Sequence, residues 1–431
     1  MKKYIFLLLQ VILITTIAAE ARFPKPEFTS GYKIPEPLAP SPYITLLVNV
    51  FFAFVILILV IVMMLGIRYL YRKRSRAGII VLALFSLLFF GFFRGGCLCP
   101  IGAIQNIAVA IFEPVFSLGW FGILIFFLPI LFALFAGRVF CGVACPLGAI
   151  QDIINFYPLR LPKWLDRTLR LLPIFYLGFA VYFAVLGIGF IICKYDPFVG
   201  FFRFSGDLFI MLAGSLLLLL GVFVCRPYCR FFCPYGVILG WAALLSARRI
   251  KITPDECIKC RLCENACPVD AIVIPQNHTA NEPLRFSISR GLRLITILPV
   301  VIVISAVIGW CTGPILAQQH SAVKLYQQVT FEINNGIRPQ NDATLAFRSS
   351  DATLADLQHK NSQIIYSSKI GGLFLGIFLS LMVMLRLFKF SKINYHADYQ
   401  TDSEYCICCG RCYRYCPRGR LDTGKDNGSN T

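Results

Sequence analysis

Eight of the eighteen cysteines fall in two copies of one spacing. The first is Cys257-x2-Cys260-x2-Cys263-x3-Cys267-Pro268, and the second is Cys406-x2-Cys409-x2-Cys412-x3-Cys416-Pro417. Three thiolates on so short a loop wrap three corners of a [4Fe–4S] cubane. The fourth, just before proline, normally turns toward a partner cluster. Four thiolates also suit tetrahedral zinc, but two full copies, each closed by proline, fit two [4Fe–4S] clusters better. If the copies dock as in a two-cluster ferredoxin, one cluster takes Cys257, Cys260, Cys263 and Cys416. The other then takes Cys406, Cys409, Cys412 and Cys267. The alternative is two independent single-cluster loops. Cys408 is left over and reads as a bystander.

A second set comprises Cys141-x3-Cys145-Pro146 and Cys229-x3-Cys233-Pro234. Their contexts are related: Arg-Val-Phe-Cys-Gly-Val-Ala-Cys-Pro-Leu-Gly from Arg138, and Arg-Pro-Tyr-Cys-Arg-Phe-Phe-Cys-Pro-Tyr-Gly from Arg226. An i, i+4 pair puts both sulfurs on one helical face, so two such pairs make a four-thiolate site and a third Fe–S cluster. Small buried cysteines at helix ends are common in cores, yet a repeat carrying Pro and Gly favours ligation. Cys225 is one turn earlier and could substitute for a ligand. A third set, Cys97, Cys99, Cys193 and Cys311, gathers at the opposite ends of the helices. It reads as an outer-face metal site, as disulfides in an oxidising compartment, or as a sign that 97–118 re-enters the bilayer. The run Cys99-Pro-Ile-Gly-Ala-Ile-Gln105 closely matches Cys145-Pro-Leu-Gly-Ala-Ile-Gln151.

The elements that position these sets are apolar. Hydrophobic residues make up 57% of the 431, and the mean hydropathy is +0.71. Soluble domains carry roughly 45–50% apolar residues. Nearly uncharged runs cover about 43–67, 78–96, 119–137, 171–193, 208–225, 294–316 and 369–388, each near the spanning length. Lipid leaves no partner for free backbone polar groups, so these runs are helices. The fold class expected is an all-α polytopic membrane protein of seven transmembrane helices, with an α+β ferredoxin module.

Residues 1–21, with Lys2, Lys3 and Ala19-Glu20-Ala21, read as a signal peptide or else as an uncleaved anchor. A Pro-rich periplasmic segment, 22–42, follows. The membrane domain then occupies 43–246, the first ferredoxin half 247–290, a helix 291–316 and a periplasmic loop 317–368. Helix 369–389, the second half 390–420 and a disordered tail 421–431 complete the chain. Loops 68–76, 138–170, 226–290 and 386–420 hold 26 Lys and Arg, against 9 in 22–42, 194–207 and 317–368. The positive-inside rule makes the first group cytoplasmic. This places the chain in the bacterial inner membrane with its C-terminus inside. Topology and attraction to anionic headgroups account for most of the +19 net charge. No interleaved basic and aromatic stripe suggests nucleic acid.

Four histidines are present, none within an apolar run, so no haem is expected in the membrane. Arg94, Glu113 and Asp207 lie near helix ends, as interfacial charges do. A short repeat, Asp342-Ala-Thr-Leu-Ala and Asp351-Ala-Thr-Leu-Ala, suggests a small helical loop.

Residues 43–275, through Arg138–Asp152, the two Cys-x3-Cys-Pro elements and the ferredoxin run after them, resemble the NapH/NosR-type membrane polyferredoxins. The C-terminal motif is a displaced second half. The resemblance implies electron relay between the cytoplasmic side or the quinone pool and a periplasmic reductase. Support of that reductase's maturation is its other implication, and a non-catalytic redox-sensing or maturation factor for a periplasmic metalloenzyme is the alternative reading. Quinol dehydrogenase activity, with quinone as a further cofactor, is the enzymatic version. NosR-like proteins carry a large periplasmic flavin domain, for which 22–42 is too short. A separate periplasmic redox or flavin protein and a cytoplasmic donor or acceptor are therefore the expected partners.

Overall fold

The computed structural model describes residues 51, 54–66, 69, 75–96, 100–112, 120–203, 208–246, 258–273, 275, 284–336, 341–350, 352–391 and 399–416. The expected signal peptide, the Pro-rich segment, Cys97, Cys99, Cys257, Glu113, Asp207 and the tail lie outside them. The chain divides into two units, residues 325–357 (with 1–39) and the remainder.

The larger unit is helical and is built around proline starts. Helix α1 covers Phe54–Gly66. Helix α2, Arg76–Ser86, widens into a π-helical stretch at Leu87–Phe93. Pro100 opens α3, Pro100–Phe112, and α4 is Trp120–Ala136. A second π-helical turn, Phe140–Ala144, leads to α5, Pro146–Ile154, which begins with proline. Then come α6 (Lys163–Leu169), α7 (Leu172–Val185), α8 (Ile191–Tyr195), α9 (Pro197–Arg203) and α10 (Leu208–Phe223). Proline again opens α11, Pro227–Phe231, and α12, Pro234–Leu244. At the first helical position proline removes an N–H that would be unpaired anyway, and its φ suits the helix.

Helix α3 falls in the stretch weighed above as re-entering the bilayer, whereas the apolar helix α12 was not anticipated as a separate element. Both pack on α4 and α7, and α3 also packs on α12. Thirteen residues give α3 a length of about 20 Å, short of the roughly 30 Å hydrocarbon core.

Among the described residues, four helices are long and apolar enough to cross a membrane: Arg76–Phe93, Lys163–Val185, Leu292–Ala317 and Leu354–Lys389. Helices α4 and α10, with 17 and 16 residues, stand at the lower edge of spanning length.

The first ferredoxin half supplies α13 (Leu262–Ala266) and β1 (Ile272–Val273). Helix α14, Leu284–Ala317, leads away from it, and the return is α17, Leu354–Ser391. Their crossing is made by small residues. A Cβ on Gly309 would lie 2.0 Å from the Gly372 carbonyl oxygen, and one on Gly376 would lie 2.1 Å from that of Ser305. Small residues at such spacing let helix backbones touch, as membrane helices do. Ser368 Oγ donates to Gly313 O (2.6 Å), and Tyr182 Oη is 2.5 Å from the same hydroxyl, tying α7 to the hairpin. The second half then gives β2 (Gln400–Thr401) and α18 (Arg411–Tyr415). Strand β2 pairs antiparallel with β1, Ile272 opposite Thr401 and Val273 opposite Gln400, while α18 packs on α13.

Within residues 325–357 the segment expected as a loop is helical, in most of α15 (Ser321–Asn334) and α16 (Asp342–Arg348). The short repeat lies at helix starts. Asn341 precedes α16, while Thr353 and Asp356 bond reciprocally at the start of α17, as a capping box does. Arg348 pairs with the buried Glu332 at 3.2 Å.

Candidate iron–sulfur site

Among the described residues, each cysteine before a proline takes the same backbone shape. Cys145, Cys233, Cys267 and Cys416 have φ between −82° and −70° and ψ between 108° and 115°. The ring of the following proline excludes the α region at these positions, so the thiol leaves the chain extended. Cys233 Sγ accepts from Gly236 N at 3.3 Å, and Cys267 Sγ accepts from Ala271 N at 3.3 Å. Such amide donors stabilise a ligating sulfur.

The two Cys-x3-Cys-Pro elements come together and brace each other. Desolvation above all, then the fields of Cys229, Cys141 and Cys145, push the Cys233 thiol well above the ordinary range. Burial pushes Cys229 up to about 11, with Arg226 opposing. The bracing is reciprocal. A Cβ on Gly236 of the second element would meet Arg138 Nη2 of the first at 2.9 Å. A Cβ on Gly148 of the first would meet Arg226 Nη1 of the second at 3.0 Å. Each Cys-Pro-x-Gly thus leaves room for the arginine that precedes the other cysteine pair. Arg226, wholly buried and left-handed (φ 50°), donates to the carbonyls of Cys141 (2.5 Å) and Gly142 (3.3 Å). Burial works against the Arg138 charge, but the thiolates of Cys141 and Cys233 outweigh it and hold its pKa above the usual guanidinium value.

Gln151 Oε1 accepts from Tyr228 N (3.0 Å), and its Nε2 reaches Cys229 Sγ (3.4 Å). Its counterpart in the related run behaves likewise. Gln105 Oε1 accepts from Ile192 N (3.0 Å), the residue before Cys193. Cys193 itself stands 3.1 Å from where a Cβ on Gly102 would be. Of the outer set, Cys193 and Cys311 are exposed, and Cys97 and Cys99 lie outside the described residues.

The ferredoxin halves meet around a second group of thiols. Cys267 of the first half lines one cavity with Cys406, Cys408, Cys409 and Cys412 of the second. Burial, then the fields of Cys409, Cys406, Cys267 and Cys263, raise Cys412 well above its ordinary value, and burial takes Cys409 to about 12. Cys225, Cys267, Val269, Ala271 and Ile407 form one hydrophobic core, so the membrane domain and both halves share it. Cys260 is exposed, and Cys263 and Cys416 are half-buried. Among the described residues no three His, Cys, Asp or Glu side chains converge as tightly as one metal ion requires. Thiolates on separate corners of a cubane stand farther apart than ligands that share one zinc at about 2.3 Å. The donor set, thiols alone, suits iron–sulfur clusters.

Arginines of the membrane domain hold the module. Arg160 donates to Glu264 O (2.8 Å), Arg230 to Pro268 O (3.2 Å) and Arg170 to Val269 O (2.8 Å). These carbonyls lie at and just beyond the C-terminal end of α13, where basic side chains are favoured. Asp166 orients two of the donors, at 2.7 Å from Arg170 and 2.6 Å from Arg230. Arg138 donates to Glu404 O (2.9 Å), Arg411 pairs with Asp152 (3.2 Å), and Arg386 pairs with Glu404. The sequence signal for Arg138 and Arg226 was their identical place, three residues before each cysteine pair. Gln151 carried a weaker signal, its match to Gln105 six residues after a Cys-Pro cysteine, and Asp152 and Asp166 carried none.

A family model described as "4Fe-4S binding domain" matches residues 118–170 and 207–253, the stretches that carry both Cys-x3-Cys-Pro elements. A second of the same description matches 250–273. The chain is 32% identical over 118 residues to the "Putative electron transport protein YccM" of Escherichia coli (strain K12), covering 25% of this chain and 33% of that one. It is 36% identical over 67 residues to the uncharacterized protein MJ0749 of Methanocaldococcus jannaschii (16% of this chain, 27% of that one). To MJ0750 of the same organism it is 30% identical over 107 residues (25% and 40%). The matched stretches thus span well under half the length of these curated relatives. No solved structure matches. The class defined by fold and site is an iron–sulfur protein with 4Fe–4S ferredoxin-type domains on a mostly helical chain. Electron transport is the work to which those domains and the YccM likeness point.

Proposed function

We propose that the chain is a NapH/NosR-type membrane electron carrier of the bacterial inner membrane. It relays electrons between the cytoplasmic side, or the quinone pool, and a periplasmic redox or flavin partner. One observation carries this reading: the two ferredoxin halves, separated in sequence by a helical hairpin, pair as one sheet, and the Ile407–Cys408 backbone of the second packs on Gly142 between Cys141 and Cys145. A [4Fe–4S] cluster, when bound, supplies one-electron chemistry without proton movement. The protein's part is to hold the thiols, exclude water and set the distance between sites. In this reading Cys257, Cys260, Cys263 and Cys416 hold one cluster, and Cys406, Cys409, Cys412 and Cys267 a second. Cys141, Cys145, Cys229 and Cys233 hold a third. The seven helices expected from the sequence, with α3 dipping partway into the bilayer, carry the chain to a cytoplasmic C-terminus.

Anaerobic iron and acid-labile sulfide analysis tests it. About twelve irons per chain are expected; about eight would leave the Cys-x3-Cys-Pro site empty. Cys416→Ser should abolish the EPR signal of the cluster that Cys260 and Cys263 hold. Loss instead of the signal that depends on Cys406 would sink the exchange of fourth ligands.

A further inference from the structure

The reading above leaves open how the ferredoxin module communicates with the membrane-domain site, and two residues at their junction answer it. The ferredoxin loops are internally comparable. Lys259 and Arg261 in the first are left-handed (φ 53° and 60°), as are Cys408 and Gly410 in the second (φ 55° and 68°). The loop thus requires a left-handed residue just before its second cysteine. The first half places an exposed lysine there, and the second places Cys408, which is 3% exposed. The difference follows from what lies opposite. Cys408 Sγ is 4.0 Å from where a Cβ on Gly137 would be, and its thiol feels the charges of both Cys406 and Cys141. The backbone at the junction is tighter still. A Cβ on Gly142, between site cysteines Cys141 and Cys145, would lie 3.0 Å from Cys408 O and 3.1 Å from Ile407 O. Arg138 closes the same seam through Glu404 O (2.9 Å).

We propose that the Ile407–Cys408 peptide packed on Gly142 is the electron hand-off between the ferredoxin site and the Cys141/Cys145/Cys229/Cys233 site. In this role Cys408 is a bridging residue rather than a ligand. In each transfer one electron leaves one site and enters the other; no bond is made or broken and no proton moves. Gly142 serves by having no side chain, and Cys408 serves by filling the gap with a compact, polarisable group.

The inference rests on the membrane-domain site holding a cluster, so the wild-type iron content is measured first. About eight irons per chain would overturn that reading and this one together. With about twelve, Cys408→Ala, Cys408→Ser and Gly142→Ala are prepared as full chains in detergent. Wild-type iron, sulfide and individual EPR signals are expected in all three. The spin–spin broadening between the sites should weaken, and the rate at which the membrane-domain site follows dithionite reduction of the ferredoxin site should fall, most in Gly142→Ala, whose methyl must push the Ile407 and Cys408 carbonyls away. Cys408→Ser, nearly isosteric, should lose least. Unchanged broadening and rates in Gly142→Ala and Cys408→Ala would overturn the hand-off alone. Loss of about four irons in Cys408→Ser would make Cys408 a ligand and also overturn it.

Discussion

Several thiols of the candidate site are desolvated, and that has a consequence at the scale of single residues. Cys229 and Cys409 are pushed to about 11 and about 12, chiefly by burial. Unfolded cysteine titrates near 8.5. A group whose folded pKa is raised contributes stability that is intact below its unfolded pKa. That stability is lost as pH rises toward the folded value. Iron-free protein is therefore expected to melt at steadily lower temperature from about pH 9 to pH 11. The iron-loaded form, whose thiolates are already deprotonated and bound, should show little change over that window. Paired thermal melts with and without a chelator check this. Cysteine spacing and the pre-proline backbone were legible here because both are local. The reciprocal seating of Arg138 on Gly236 and Arg226 on Gly148 joins residues far apart in the chain, and no local pattern encodes that.

At the scale of elements, the α14/α17 crossing decides whether the second half can dock. Gly309, Gly313, Gly372 and Gly376 bring the two backbones into contact. Gly372→Leu should force the helices apart, at a cost of about 1–3 kcal/mol for overpacking. It should also carry β2 away from β1. Detergent-solubilised protein would then unfold at lower denaturant concentration, and EPR would show loss of the cluster that Cys406, Cys409 and Cys412 share with Cys267. Apolar runs made both helices of this hairpin visible in the sequence. Helix α12 escaped notice, and α3 was weighed only as a re-entrant stretch, because short buried helices and loops after a Cys-Pro look alike until tertiary packing covers their apolar faces.

For the molecule as a whole, the order of the parts predicts how the chain fails when cut. A chain ending at Arg290 keeps the first ferredoxin half and the membrane-domain site but loses the hairpin and the second half. With fourth ligands exchanged, iron should fall from about twelve to about four per chain; independent loops would keep about eight. The same truncation removes the partners of Arg138 and Asp152, namely Glu404 and Arg411. The remaining half should become accessible to proteolysis.

By itself the sequence determined the chemistry: which cysteines form ferredoxin runs, that a related Cys-x3-Cys-Pro pair accompanies them, and that apolar helices surround both. Those features are set by residue type and spacing within a dozen positions. Only the tertiary structure decided that β1 meets β2, that Cys267 lines one cavity with Cys406, Cys408, Cys409 and Cys412, and that the Ile407–Cys408 backbone meets Gly142. Two-residue strands carry too little pattern to announce their partner. Charged donors bonded to carbonyls leave no mark on the carbonyl's residue type. These contacts exist because an apolar hairpin returns the chain to where arginines and an open glycine await it.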